Sequence, residues 1–318
     1  MTLTIHWQLD VAAEPARGEP ALRPALPPLL RDPRQTSQNR FDYYAQVAEA
    51  AAQGRFDGLY LPFAADGDDS RIVAAALARE VRRIALVAGF PASVGSAVYA
   101  AKQAVSFQRA TGNRLGWAIA PDADAATRAG FGDFVPEAQL GQRLEEFLVV
   151  ARGVHGQHPF SHAGAFFAVE QGGFEAPLNR AAFPPVWLQG ESEEALALSA
   201  RQADVHLFAP TADLAALIEG LDGLAKAAGR QVGFGLHQPV LARESTEEAL
   251  FEAGRSPPPQ GALVGSYEEV AGQLARRVRL GIGQLVLSAG PQLEEAYRIG
   301  QHLLPRLRAL IATPAKAA

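Results

Sequence analysis

The chain has 318 residues, 48% of them hydrophobic and 20% charged, with 29 lysines and arginines against 34 aspartates and glutamates. This composition supports a large buried core, and the net charge of −5 offers nothing to attract nucleic acid or an anionic membrane surface. The chain has no cysteine, which excludes disulfides, thiolate nucleophiles and cysteine metal sites; without a charged-then-apolar leader or an apolar run of about twenty residues, a cytoplasmic setting is expected.

Strand-like and helix-like runs alternate along the sequence. Leu3 to Leu9 reads as a strand and is followed by a proline-rich loop, Pro15 to Pro33, with six prolines. A helix is expected from Ser37 to Gln53, a strand from Gly58 to Pro62, a helix from Ser70 and a strand from Arg83 to Gly89. The pattern goes on with a helix Ala97 to Ala110, a strand Arg114 to Ala120, a helix Glu137 to Val154, a hairpin-like insertion Phe160 to Phe183 and a strand Pro185 to Gly190. After the helix Glu193 to Gln202 come a strand Val205 to Ala209, a helix Asp213 to Ala228 and a strand Val232 to Leu241. Arg255 to Gly261, with Pro257-Pro258-Pro259, reads as a stiff connector. In the last unit Val270, Leu274, Val278 and Leu280 recur at helical spacing, Gly281 stops the helix, Leu285-Val286-Leu287 forms a buried strand, and Leu293 to Leu307 carries a second apolar stripe. Eight β-α steps argue for a TIM barrel rather than an open doubly wound sheet, whose first strand would lead into a glycine-rich phosphate turn. Gln8-Leu9-Asp10-Val11 stands there instead.

In a barrel, chemistry collects at the C-terminal strand ends. This places at the mouth Trp7 and Asp10, Phe63 to Asp69, Phe90 with Ser93, Trp117 with Pro121 and Asp122, Gln189 to Ser192, His206 with Phe208, His237 with Gln238, and Ser288 to Gly290. So aromatic a ring, with few ionisable groups, suits a flat conjugated ligand and an apolar substrate better than a metal. His237 is the acid-base candidate, since an imidazole titrates near working pH; His206 is a weaker one. Asp66, Asp68 and Asp69 lack calcium-loop spacing and read as a solvated helix cap. His155, His158 and His162 lie among Gly153, Gly156 and Pro159, which break the helix a zinc site would need. Arg17, Arg23, Arg31, Arg34 and Arg40 read as exposed loop residues.

Several segments carry a resemblance: FDGLYLP (56–62), VAGFPASVGSAVYAAKQAVSFQRATGNR (87–114), FPPVWLQGESEEALALSARQADVHLF (183–208), and the block from Leu263-Val264-Gly265 through Leu287-Ser288 to Tyr297-Arg298. The chain resembles the bacterial luciferase-like flavin monooxygenases, most of all the alkanesulfonate monooxygenases. The resemblance implies a TIM barrel, insertion of one oxygen atom from O2 into an organic substrate, dissociable reduced FMN supplied by a separate flavin reductase, and a homodimer paired through helices beside strands two and three. By their places at the strand ends, Trp117, Gln189, Gly190 and Ser192 are the expected cofactor contacts, His237 the expected catalytic residue, and Trp7, Phe63, Phe90 and Phe208 the expected substrate contacts, and only the turn Gln189 to Ser192 partly keeps the family's pattern.

The family's functional positions are largely replaced. Gly67 stands at its strand-two cysteine, Ala118 at its strand-four asparagine, Pro239 at its strand-seven histidine, and His237 at the arginine two residues before that. Gly290 replaces its tyrosine after strand eight, and Leu140-Gly141 its phosphate-holding Arg-Tyr pair. The strand-five turn Gln189-Gly190-Glu191-Ser192 is partly kept: Gly190 lets a phosphate approach and Ser192 with the free helical N–H groups can donate to it, while Glu191, Glu193 and Glu194 work against it and a well-capped helix start is the other reading. Arg143, Arg152 and Lys102 are the nearest substitute donors by sequence. Two readings follow, a monooxygenase with a changed substrate or a non-catalytic ligand-binding barrel or partner subunit.

Overall fold

A computed structural model describes residues 3–11, 40–93, 95–121 and 123–312. In chain order its elements begin with β1 (Thr4–Gln8), α1 (Arg40–Gln53), β2 (Gly58–Leu61), α2 (Ser70–Glu80), β3 (Ala85–Phe90), α3 (Ala97–Thr111), β4 (Leu115–Ile119), α4 (Ala125–Gly130) and α5 (Leu140–Gly156). There follow β5 (Phe160–Ala163), β6 (Ala168–Gly172), β7 (Val186–Gln189), α6 (Glu193–Gln202), β8 (Val205–Phe208), α7 (Leu214–Ala227) and β9 (Gly233–Arg243). The last elements are α8 (Thr246–Arg255), β10 (Leu263–Ser266), α9 (Tyr267–Arg279), β11 (Gln284–Ser288), α10 (Gln292–Arg298) and, after a π-turn, α11 (Leu304–Ala312).

Strands β1, β2, β3, β4, β7, β8, β9 and β11 pair in parallel in that order, and β11 returns to β1, so the sheet closes into an eight-stranded TIM barrel. Residues with caps at their starts set the helices. Asp69 receives the backbone N–H groups of Arg71 and Ile72 at α2, and Ser266 with Glu269 forms a reciprocal capping box at α9. Three elements differ from the sequence expectations. The short β10 lies beside the far end of β9, with Leu263 opposite Val240. Helix α8 fills the stretch before the proline connector, and α4 forms after β4. Among the described residues no helix is long and apolar enough to cross a membrane.

Successive strand residues face opposite sides of the sheet, and this parity decides what lines the barrel. The interior holds Tyr60, Val87, Ala118, Trp187, Val205, Leu207 and Val286 as one buried cluster. His6 joins it, its ring edge-on to Trp187 at 5.2 Å and its Nε2 2.9 Å from Gln284 Oε1. A Cβ on Gly58 would lie 2.3 Å from His6 Nδ1, so a glycine is required where β2 passes that ring. The alternate residues pack outward against the helices in a second, larger core.

Candidate active site at the barrel mouth

Parity corrects most of the aromatic ring expected at the mouth. Trp7, Phe90, Trp117 and Phe208 all point outward and are buried in the helix layer. Trp7 packs on Phe56; Trp117 is edge-on to Phe90 and Phe183, both at 5.1 Å; Phe208 lies 4.4 Å from His206. These four side chains form core beneath the helices and do not face the barrel lumen. His206 belongs with them: its Nδ1 is 2.8 Å from Ser199 Oγ on α6, and burial pulls its pKa down to about 4, outweighing the Gly190 backbone contact that favours the charged ring. Gln238 also faces away, donating to the carbonyls of Pro239 and Gly261.

The inward positions at the strand ends are more polar. Gln8, Gln189, His237 and Ser288 are each half-buried at the tops of β1, β7, β9 and β11. Val286 lies opposite His237 in the β9–β11 register, so Ser288, two residues on and on the same face, meets the imidazole, with Nε2 3.1 Å from Oγ. Burial lowers the His237 pKa, which favours the neutral ring. One hydrogen lies between that nitrogen and the hydroxyl, so the pair can present either a donor or an acceptor to a ligand. Below them Tyr60 lies 6.1 Å from Trp187, and burial raises its phenol pKa, keeping the hydroxyl protonated.

Gly190 and Ser192 stand at the β7–α6 turn as expected. Gly190 has φ 123°, a conformation that favours glycine, and a Cβ there would come 2.8 Å from Ala195 Cβ. Ser192 is the N-cap of α6, its Oγ accepting from Ala195 N at 3.2 Å. Glu191, Glu193 and Glu194 are exposed around it. The substitute phosphate donors are engaged elsewhere. Arg143 is buried in an ion pair with Asp133 at 2.7 Å, which overcomes the burial penalty on that carboxylate and holds its pKa low. Arg152 binds Asp204 at 2.9 Å, and Lys102 lines a groove between α2 and α3 on the barrel's outside.

Phe63, half-buried just after β2, is the one expected aromatic that meets the rim. Its ring lies 6.5 Å from Phe131, which is 62% exposed, and Phe134 on the same α4 excursion is 78% exposed. That excursion is held in place. Asp124 caps α4, Arg128 donates to the carbonyls of Ala123 and Val135, and Asp133 ties it to α5 through Arg143. Phe131 and Phe134 carry no motif, and only their apolar character in a polar loop could have drawn attention to them.

The remaining candidates have structural partners. Asp68 accepts from Tyr44 Oη at 2.8 Å, and Asp69 caps α2. His155 meets the Ala181 carbonyl, His158 pairs with Glu175, and His162 lies 3.4 Å from Glu146. Asp122, Arg17, Arg23, Arg31 and Arg34, and the side chain of Arg40, lie outside the described residues.

Gln8, Gln189, His237 and Ser288 set neutral hydrogen-bonding groups at the strand ends, whereas the acidic first turn of α6 does not fit the phosphate of FMN. Residues 26–257, well over half of the chain, match the family model of luciferase-like monooxygenases. Among solved structures, a riboflavin lyase with modified FMN and riboflavin superposes with a TM-score of 0.81 at 16% identity, covering 97% of this chain and 92% of its own. The EDTA monooxygenase of Chelativorans sp. BNC1 gives 0.79 at 16% identity, with 97% and 93% covered. The coenzyme F420-dependent tetrahydromethanopterin reductase of Methanopyrus kandleri gives 0.72 at 13%, with 96% and 100% covered. By that family match and its closed barrel, the chain belongs to the luciferase-like monooxygenases, a family of flavin-dependent oxidoreductases.

Proposed function

We propose that the protein is a monooxygenase that takes dissociable reduced flavin, delivered by a separate reductase, and oxidises an apolar organic substrate with O2. The observation that carries this reading is the His237–Ser288 pair on the inward face of β9 and β11. Reduced flavin, when bound, supplies the two electrons that let one oxygen atom enter the substrate while the other leaves as water. His237 and Ser288 hold a mobile hydrogen beside the place where a ring would lie, and Gln8 and Gln189 offer further neutral hydrogen bonds. Phe63, Phe131 and Phe134 give the rim an apolar side for the substrate.

Anaerobic titration with reduced flavin, followed by mixing with O2, tests the reading. Saturable binding that weakens at least about tenfold in His237→Ala, with an unchanged unfolding midpoint, supports it. The absence of saturable binding by oxidised or reduced flavin would leave the non-catalytic barrel as the better account. A homodimer fits the groove of about 440 Å³ between α2 and α3, lined by Tyr99, Phe107 and the exposed Ile72. Sedimentation of the wild type against Ile72→Asp checks that pairing.

A further inference from the structure

We infer that this barrel recognises flavin by its ring and discriminates against the phosphate, so that riboflavin, the flavin without a phosphate, binds at least as tightly as FMN. The inference rests on the reading above that the mouth takes a flavin, and it names which flavin.

Three independent features point the same way. The β7–α6 turn that follows Gln189 presents Glu191, Glu193 and Glu194 to solvent around Ser192, whose oxygen caps Ala195 N. Those carboxylates already complement the positive end of the α6 dipole, and they repel a second anion carrying nearly two charges. The arginines closest along the chain are neutralised: Arg143 lies buried against Asp133, Arg152 is held by Asp204, and Arg201 makes two bonds of 2.8 Å to Glu145. At the ring end, by contrast, Gln8, Gln189, His237 and Ser288 are neutral, half-buried and able to hydrogen-bond. Among the described residues at this turn nothing rewards a terminal phosphate, so affinity there comes from the isoalloxazine. A sugar-alcohol terminus suits the acidic turn better, because its hydroxyls can donate to Glu191, Glu193 and Glu194 without repulsion.

The test uses the full-length protein, titrated into riboflavin and FMN at low and high salt and followed by flavin fluorescence. Riboflavin is expected to bind at least as tightly as FMN at low salt. Raising the salt should tighten FMN and leave riboflavin unchanged, because screening acts on the repulsion alone. The variant Glu191→Gln/Glu193→Gln/Glu194→Gln is expected to tighten FMN by about tenfold at low salt, with riboflavin altered by less than about twofold. Glu191→Gln alone, outside the helix, should give part of the same change if the triple variant weakens α6. FMN binding more than about threefold tighter than riboflavin at low salt would overturn the inference while keeping the flavin reading, and would mean that other residues hold the phosphate. Failure of both flavins to bind would overturn the two together.

Discussion

Trp117 separates the two faces of the barrel in one experiment. By its place on β4 it is a cofactor contact in the sequence reading, yet its side chain lies outside the barrel against Phe90, Phe147 and Phe183, with ring centroids 5.1 to 6.1 Å away. Truncation of this buried ring to alanine costs about 3–5 kcal/mol, part of it from the three aromatic contacts at about 0.5–1.5 kcal/mol each. That is a large share of the roughly 5–15 kcal/mol that holds a domain together. Trp117→Ala is therefore expected to lose about 4 kcal/mol in urea denaturation with an unchanged slope, and Trp117→Phe about 1–2 kcal/mol. Flavin affinity of folded Trp117→Phe should stay within about twofold of wild type, because the ring sits on the opposite side of the sheet from His237. A stability loss below about 1 kcal/mol in Trp117→Ala, or a tenfold loss of flavin affinity in a Trp117→Phe protein of unchanged stability, would refute the assignment of faces.

Three further outcomes follow from the packing and the buried charges. Glu295 is fully buried between Arg243 at 3.0 Å and Arg298 at 2.8 Å, so Arg243→Ala should cost about 3–5 kcal/mol by leaving that carboxylate with one half-exposed partner, and Arg243→Met with Glu295→Leu should recover at least half of it in denaturant titrations. Gly58→Ala forces a methyl against a His6 ring already fixed by Gln284 and Trp187, and should cost about 1–3 kcal/mol, relieved when His6→Ala is added; additive losses would be the wrong result. His6, His206 and His237 all have burial-lowered pKa values, so the unfolded chain binds more protons and stability is complete above the ordinary histidine pKa near 6.5 and falls with pH below it. With the His206 value at about 4, that residue alone removes about 2 kcal/mol by pH 5, which His206→Gln should largely abolish; a flat profile from pH 7 to 5 would contradict the burial of these rings.

The barrel was readable because most of its strands are short apolar runs closed by glycine, proline or a capping residue, and the eight runs alternate with helices. Helix α8 was harder to see, since it buries only Ala249 and leaves Leu250 and Phe251 exposed, so it shows no apolar stripe facing a core. Its signal was at the start, where Ser245 accepts from Glu248 N with the spacing of a cap. Strand β10 is four residues long and exists by pairing with the overhang of β9, a long-range contact that local pattern does not contain.

The mouth was misread for a different physical reason. In β4, LGWAI, all five residues are buried, so apolar alternation cannot say which face Trp117 takes. The information lies in the polar residues of neighbouring strands: Gln189, His237 and Ser288 sit half-buried at strand ends, where a neutral polar side chain has water or a ligand to meet, and that fixes their parity as inward. Stepping back by two from Gln189 gives Trp187, the one tryptophan that lines the lumen, and Trp187 in turn accounts for the position of His6 and hence for the glycine at position 58. Phase therefore propagates around the closed barrel from a few polar strand ends. The same chain of contacts that seals the lumen floor also sets the height at which His237 and Ser288 meet a ligand, so variants that disturb Trp187 should move the site, whereas variants of Trp117 should only weaken its support.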